Sequence, residues 1–263
     1  MKLSARKRKV FLFKSRNKFT NFAFMHKEEI AGYYDVFSAT QVKTGANERL
    51  ISLYKRLLEL GLNSRSNVLE LGCGVGNFTK LLAEKVTSGK VEAVDFSKKS
   101  IEIARKKCEA KKNVHFEVAD VTAYTPKFSD FDFITLMDVI EHIPLEKHQE
   151  LFSKICRFST EKTLIALNIP NPEYIAFTRK NQPETLQVID QEIHLAPLLT
   201  ILENSGLELV FFEKYSIWEI EDYHFLLVRK KQNFELRHLS DERTLSEKVL
   251  NKISRKIDAL KYR

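Results

Sequence analysis

One apolar run passes straight into three closely spaced glycines: Val68-Leu69-Glu70-Leu71-Gly72-Cys73-Gly74-Val75-Gly76-Asn77-Phe78. No other segment constrains this chain as much. It predicts a buried strand, a tight turn and a helix opening where the turn ends. Glycine removes the Cβ where the backbone must turn left-handed or approach a ligand closely. A pyrophosphate-binding turn of this kind reads G-x-G-x-x-G and sets the ligand's negative charge on the helix N-terminus. Here the spacing is G-x-G-x-G, and the strand carries Glu70 near its end. A carboxylate at that mouth repels phosphate and suits a cation.

Further acids follow in order. Lys90 to Asp95 is a short apolar strand ending in a carboxylate, 25 positions beyond Glu70. In an α/β nucleoside site the acid ending the second strand takes the ribose hydroxyls, because one carboxylate accepts two O–H donors. A third strand, Val114 to Val118, leads to Asp120, placed to accept from an adenine amine. A fourth, Phe131 to Met137, runs into Asp138-Val139-Ile140-Glu141-His142. Carboxylates thus gather at the C-terminal strand ends, where ligands bind in open α/β sheets. The nucleoside cofactor with a positive charge and no phosphate is S-adenosylmethionine.

With these residues the chain resembles the class I S-adenosylmethionine-dependent methyltransferases, over roughly Asn67 to Lys230. Glu70 and the glycines Gly72, Gly74 and Gly76 match the family's first motif. Asp95, with Phe96 beside it, matches the ribose-binding acid, and Asp120 with Val121 the adenine-edge segment. Asp132 and the run Asp138 to Pro144 look like the segment around the fourth strand in the small-molecule branch, which includes ubiquinone-biosynthesis O-methyltransferases. The resemblance implies a Rossmann-like α/β fold, a doubly wound sheet of seven strands, six parallel and one antiparallel. It also implies S-adenosylhomocysteine as product.

Charge is unevenly spread. Residues 1–18 hold eight Lys/Arg and no acid, and residues 229–263 hold eleven against five, leaving 24 basic and 30 acidic residues in 19–228. The body is acidic and the ends are basic. A basic arm binds nucleic acid or anionic lipid through counterion release, or simply keeps a disordered end solvated. No apolar run approaches the ~18 residues that span a bilayer. The apolar stretch Val10 to Phe13 is too short for a signal peptide. Three cysteines without metal-like spacing point to reduced thiols and a cytoplasmic setting.

Periodicity gives the organisation. Helices are expected over His26 to Ser38, over Asn47 to Leu60 closed by Gly61, over Asn77 to Val86, and over Ser97 to Lys111 with Ser97 as N-cap. Others are expected over Leu145 to Phe158 and near Leu195 to Ser205. A fifth strand covers Thr163 to Asn168, and a final hairpin pairs Leu207 to Lys214 with Tyr223 to Arg229. The division expected is a basic arm (1–18), an N-terminal helical lid segment (19–62), a methyltransferase domain (63–231) containing a substrate-cap insertion (169–193), and an amphipathic basic C-terminal helix (232–263). In that last helix Leu245, Val249, Ile253, Ile257 and Leu260 form one stripe. It docks on the parent domain, seams a dimer or meets an anionic membrane.

Two regions are candidates for substrate choice. Tyr33 and Tyr34 either cover the cofactor as a lid or pack a helix onto the domain. The segment Ile169 to Glu192, rich in Pro and polar residues, is long for a connection and long connections are usually functional. Asn168, Asn171 and Tyr174 are its candidate substrate contacts. Methyl transfer to a hydroxyl is helped by a base as the proton acidifies, and His142 suits that role with Glu141 beside it. The competing role for His142 is to cap the next helix or orient Glu141. Asp138, Glu141 and His142, with His194, also resemble a divalent-metal segment; a metal is an open alternative and not the expectation, and Asp138 is expected to face the cofactor. The Asn/Asp-Pro-Pro-aromatic turn of base N-methylation is missing after strand four.

The expected function is therefore methyl transfer from S-adenosylmethionine to a small molecule, at oxygen, in a sugar or other hydroxylated metabolite. The alternatives are an RNA 2′-O-methyltransferase using the basic ends, or a non-catalytic cofactor-binding or interaction protein. A homodimer is open.

Overall fold

The computed structural model describes Ser38, Val42, residues 45–187 and residues 189–234. The chain divides into two compact units, 1–231 and 232–263, and the sheet with its flanking helices belongs to the first. The basic arm, residues 26–37 of the expected first helix, Tyr33, Tyr34 and the apolar stripe beyond 240 lie outside the described residues.

Seven strands form one sheet: β1 (Asn67–Leu71), β2 (Lys90–Asp95), β3 (Val114–Val118), β4 (Phe133–Met137), β5 (Leu164–Pro170), β6 (Leu207–Tyr215) and β7 (Tyr223–Lys230). Their spatial order is β3-β2-β1-β4-β5-β7-β6. β1 to β5 pair in parallel, and β7 runs antiparallel to both β5 and β6. This is the expected six-plus-one sheet. The chain winds outward in opposite directions from β1 and β4, so a crevice opens at their C-terminal ends.

Within residues 45–234 the α-helices are α1 (Glu48–Glu59), α2 (Asn77–Lys85), α3 (Lys98–Lys107), α4 (His148–Phe158), α5 (Pro172–Asn181) and α6 (Leu195–Asn204). Strand residues alternate between faces, so neighbours in β1 join different cores. Val68 packs with Leu53 and Leu57 of α1 and Phe78 and Leu82 of α2. Leu69 and Leu71 pack with Leu151, Phe152 and Ile155 of α4 and Leu198 and Leu202 of α6. Burying each such side chain contributes about 1.5–3 kcal/mol, so α1 is held by its Leu53–Leu57 face.

Local signals work as their chemistry dictates. Asn47 caps α1 by accepting from Leu50 N, and Ser97 caps α3 by accepting from Ser100 N. Gly61, at φ 101°, ends α1: its N–H bonds Leu58 O while Leu62 N bonds Leu57 O. That paired closure needs a left-handed residue, which glycine adopts freely.

Three expectations are corrected. The helix from Leu145 begins as a 3-10 turn, Leu145–Lys147, before α4. The fourth strand starts at Phe133, not Phe131. The segment 169–193, read as a long connection, is partly regular: Ile169 and Pro170 complete β5, and Pro172–Asn181 is helical. Asn171 caps that helix by accepting from Glu173 N, and Pro172 sits where its missing N–H costs nothing.

Candidate active site

A cavity of about 1010 Å³ opens above the C-terminal ends of β1, β2 and β4. Its floor is the glycine turn. Gly72, Gly74 and Gly76 have φ of 81°, 51° and 73°, angles that cost other residues strain. A Cβ on Gly72 would lie 2.4 Å from Val139 Cγ2, and one on Gly76 2.8 Å from Ala104 Cβ. These two glycines therefore serve the chain's own packing as well as the turn. Gly76 occupies the N-cap of α2 and supplies no side-chain cap to its first N–H groups.

Glu70, Asp95 and Asp120 all line the cavity. Glu70 is 3% exposed and its Oε2 has no hydrogen-bond partner. Burial first, and the Asp95 charge after it, push its carboxyl up to about 8. Asp95 accepts Gly74 N on Oδ2 at 2.8 Å and Ser97 N on Oδ1 at 2.9 Å, so it is clamped across the glycine turn. Asp120 accepts Thr122 N at 3.0 Å and Thr122 Oγ1 at 2.7 Å, which fixes the turn after β3. Phe96 and Val121 stand beside these acids on the same wall. Behind it, buried Glu92 accepts Tyr124 OH, Lys127 N and Phe128 N and anchors the loop that follows Asp120.

The opposite end is built around Asp138, at φ 57°. Arg49 Nη2 lies 2.6 Å from its Oδ2, and Asn168 Nδ2 donates to its Oδ1 at 2.7 Å. Arg49 also donates to Tyr223 OH at 2.6 Å and lies against the rings of Trp218 and Tyr223. Trp218 is presented by the β6–β7 turn, in which Asp222 accepts the N–H groups of Ile217, Trp218 and Glu219 at 2.8, 3.0 and 3.1 Å.

His142 follows on a 3-10 turn, Ile140–His142. Its Nδ1 contacts the Ile189 carbonyl oxygen and lies 3.3 Å from Asp190 Oδ1. A carbonyl only accepts, so Nδ1 carries the proton and Nε2 the lone pair. Nε2 lies 3.9 Å from Glu141 Oε1. Glu141 is 1% exposed with neither oxygen hydrogen-bonded, and burial, then the Asp138 charge, hold its carboxyl well above the ordinary range.

Other candidates from the sequence are placed differently. Tyr174 lines the cavity. Asn168 is fully buried beneath it, linking Asp138 to Tyr215 OH. Asn171 is a helix cap whose Nδ2 donates to Glu221 O. Asp132 sits at the N-terminal end of β4, accepting Asn67 N, away from the cavity. His194 has a 58% exposed side chain near Glu192. Among the described residues no group of three or more His, Cys, Asp and Glu is arranged to hold a metal ion, and no helix is long and apolar enough to cross a membrane. Arg49 and Asp190 carry no signal in the sequence because their roles depend on partners far along the chain.

Residues 68–161 match the family model described as a methyltransferase domain. Residues 68–161 thus resemble a methyltransferase domain, set within a seven-stranded, mostly parallel sheet of Rossmann-like order. Over 125 residues the chain is 26% identical to a trans-aconitate 2-methyltransferase of Variovorax paradoxus, covering 48% of this chain and 46% of that protein. Over 79 residues it is 33% identical to a ubiquinone biosynthesis O-methyltransferase of Coxiella burnetii, covering 30% and 33% respectively. The alignments thus span less than half of these relatives. The fold also matches magnesium protoporphyrin IX methyltransferase from Synechocystis with bound SAH: TM-score 0.61, 18% identity, 78% of this chain and 99% of that one.

Proposed function

We propose that this chain is an S-adenosylmethionine-dependent methyltransferase acting at oxygen on a small hydroxylated metabolite. The observation that carries the reading is Glu70: a buried carboxylate with an orphaned oxygen at the mouth of the glycine turn. Burial keeps this carboxyl protonated when nothing is bound, and the cofactor's ammonium group is a partner that lets it ionise. Asp95 would hold the ribose hydroxyls, Asp120 and Val121 the adenine edge, and Phe96 the face of the base. When bound, the cofactor supplies an electrophilic methyl group on sulfur.

The remaining chemistry belongs to side chains. His142 accepts the acceptor hydroxyl's proton at Nε2, and the Ile189 carbonyl and Asp190 hold the ring in the tautomer that allows it. Tyr174 and Trp218 supply walls that orient the acceptor, since holding reactants collinear provides much of the rate gain in a displacement of this kind. Residues 63–231 form the catalytic domain in this reading.

Calorimetric titration with S-adenosylmethionine and S-adenosylhomocysteine tests the proposal. Micromolar binding of both is expected, together with loss of binding on Glu70→Ala. A protein that binds neither nucleoside is not a methyltransferase.

A further inference from the structure

Building on the methyltransferase reading of the same cavity, we infer that its acceptor end binds a positively charged amine seated against Glu141. Glu141 lines the cavity and is 1% exposed, yet neither carboxylate oxygen has a hydrogen-bond partner. The cation nearest in the network, Arg49, is committed to Asp138 and Tyr223. The other charges acting on Glu141 are chiefly carboxylates, Asp138 and Asp190. The residue is not loosely placed, because Gln191 N donates to its backbone carbonyl at 3.0 Å.

A buried carboxyl in acidic surroundings stays protonated until a partner brings both the charge and the donors that let it ionise. A ligand hydroxyl brings one donor and no charge. An ammonium brings three donors and a full positive charge, and so answers both deficits. The spacing narrows the class further. His142 Nε2 and Glu141 Oε1 lie 3.9 Å apart, so the two can each engage one of two heteroatoms on neighbouring atoms of one molecule. The geometry assigns the reacting hydroxyl to His142 and the ammonium to Glu141. The substrate class is then an amino alcohol, amino sugars included.

The test is calorimetric titration of the full chain, with and without saturating S-adenosylhomocysteine, using ethanolamine, ethylene glycol and Mg²⁺ as probes. Ethanolamine should bind saturably and about tenfold or more tightly than the glycol, a difference of about 1.4 kcal/mol. Glu141→Gln should erase that preference while keeping S-adenosylhomocysteine affinity, which also shows that the variant folds. Equal affinity for the two probes, no saturable ethanolamine binding, or a preference that survives Glu141→Gln overturns the inference. So does Mg²⁺ occupying the site in place of the amine. Loss of nucleoside binding alone is failure of the methyltransferase reading, and the titration without nucleoside still judges the subsite.

Discussion

Arg49 and Asp138 stand 89 positions apart in the chain and 2.6 Å apart in space. Their side chains are 20% and 13% exposed, so the pair is largely withdrawn from water. It ties the first turn of α1 to the turn that ends β4, and it closes one wall of the cavity. Asn168, Tyr215 and Tyr223 extend the network beneath it.

Removing one partner should cost more than the pair itself is worth, because the other charge is left buried. Arg49→Gln is expected to destabilise the protein by about 3–5 kcal/mol. The double variant with Asp138→Asn should recover part of that loss. Urea denaturation of the three variants decides it, and a stable Arg49→Gln single variant would mean the pair is solvated.

Glu70 gives a stability signature in pH. Its carboxyl rises from an ordinary 4.5 to about 8 in the folded protein, chiefly through burial. Between those values the folded state binds the extra proton, so stability is fully present below 4.5 and is lost as pH rises through about 8. The slope from this group reaches at most about 1.4 kcal/mol per pH unit. Glu70→Gln should flatten that decline between about pH 5 and 8, measured by denaturation without ligand. Buried His148 and His224, both lowered mainly by burial, act in the opposite sense by losing stability as pH falls below 6.5.

Asp95 holds two backbone N–H groups and, in the proposed function, would hold the ribose as well. Asp95→Ala should weaken S-adenosylhomocysteine binding by about 1.5–3 kcal/mol, roughly ten- to 150-fold. Asp95→Asn should lose less, since the amide oxygen retains one of the two contacts to Gly74 and Ser97. Unchanged affinity in the alanine variant would remove Asp95 from the site.

Gly72 tests whether the turn's glycines serve the chain. Gly72→Ala places a Cβ 2.4 Å from Val139 Cγ2 at a φ of 81°. The clash and the backbone strain together are expected to cost about 2–5 kcal/mol. Adding Val139→Ala should relieve the clash but not the strain, so thermal unfolding should show partial rescue. Full rescue would mean that the backbone angle carries no penalty.

The parts legible in the sequence are those whose cause is local. The glycine spacing, the acids at the ends of β1 and β2 and just after β3, the cap at Ser97 and the closure at Gly61 depend on residues within a few positions of one another. Alternating apolar runs likewise placed β2 and β3 at the bounds observed. Even α5, which falls in the segment read as a long connection, carried its signal in Asn171-Pro172-Glu173.

What tertiary structure alone decided is which distant groups meet. Nothing near Arg49 names Asp138 as its partner, and nothing near His142 names Ile189 and Asp190. The same holds for Asn168, which sequence order places beside a substrate segment and packing places beneath Asp138. Backbone preferences act over one or two turns, whereas these contacts arise from closing long loops around a sheet whose order departs from chain order. The sequence therefore determined the sheet and the end of the cavity lined by Glu70, Asp95 and Asp120. The end around Asp138, Glu141 and His142 was set by the packing of α1, the β4 turn and the segment after α5.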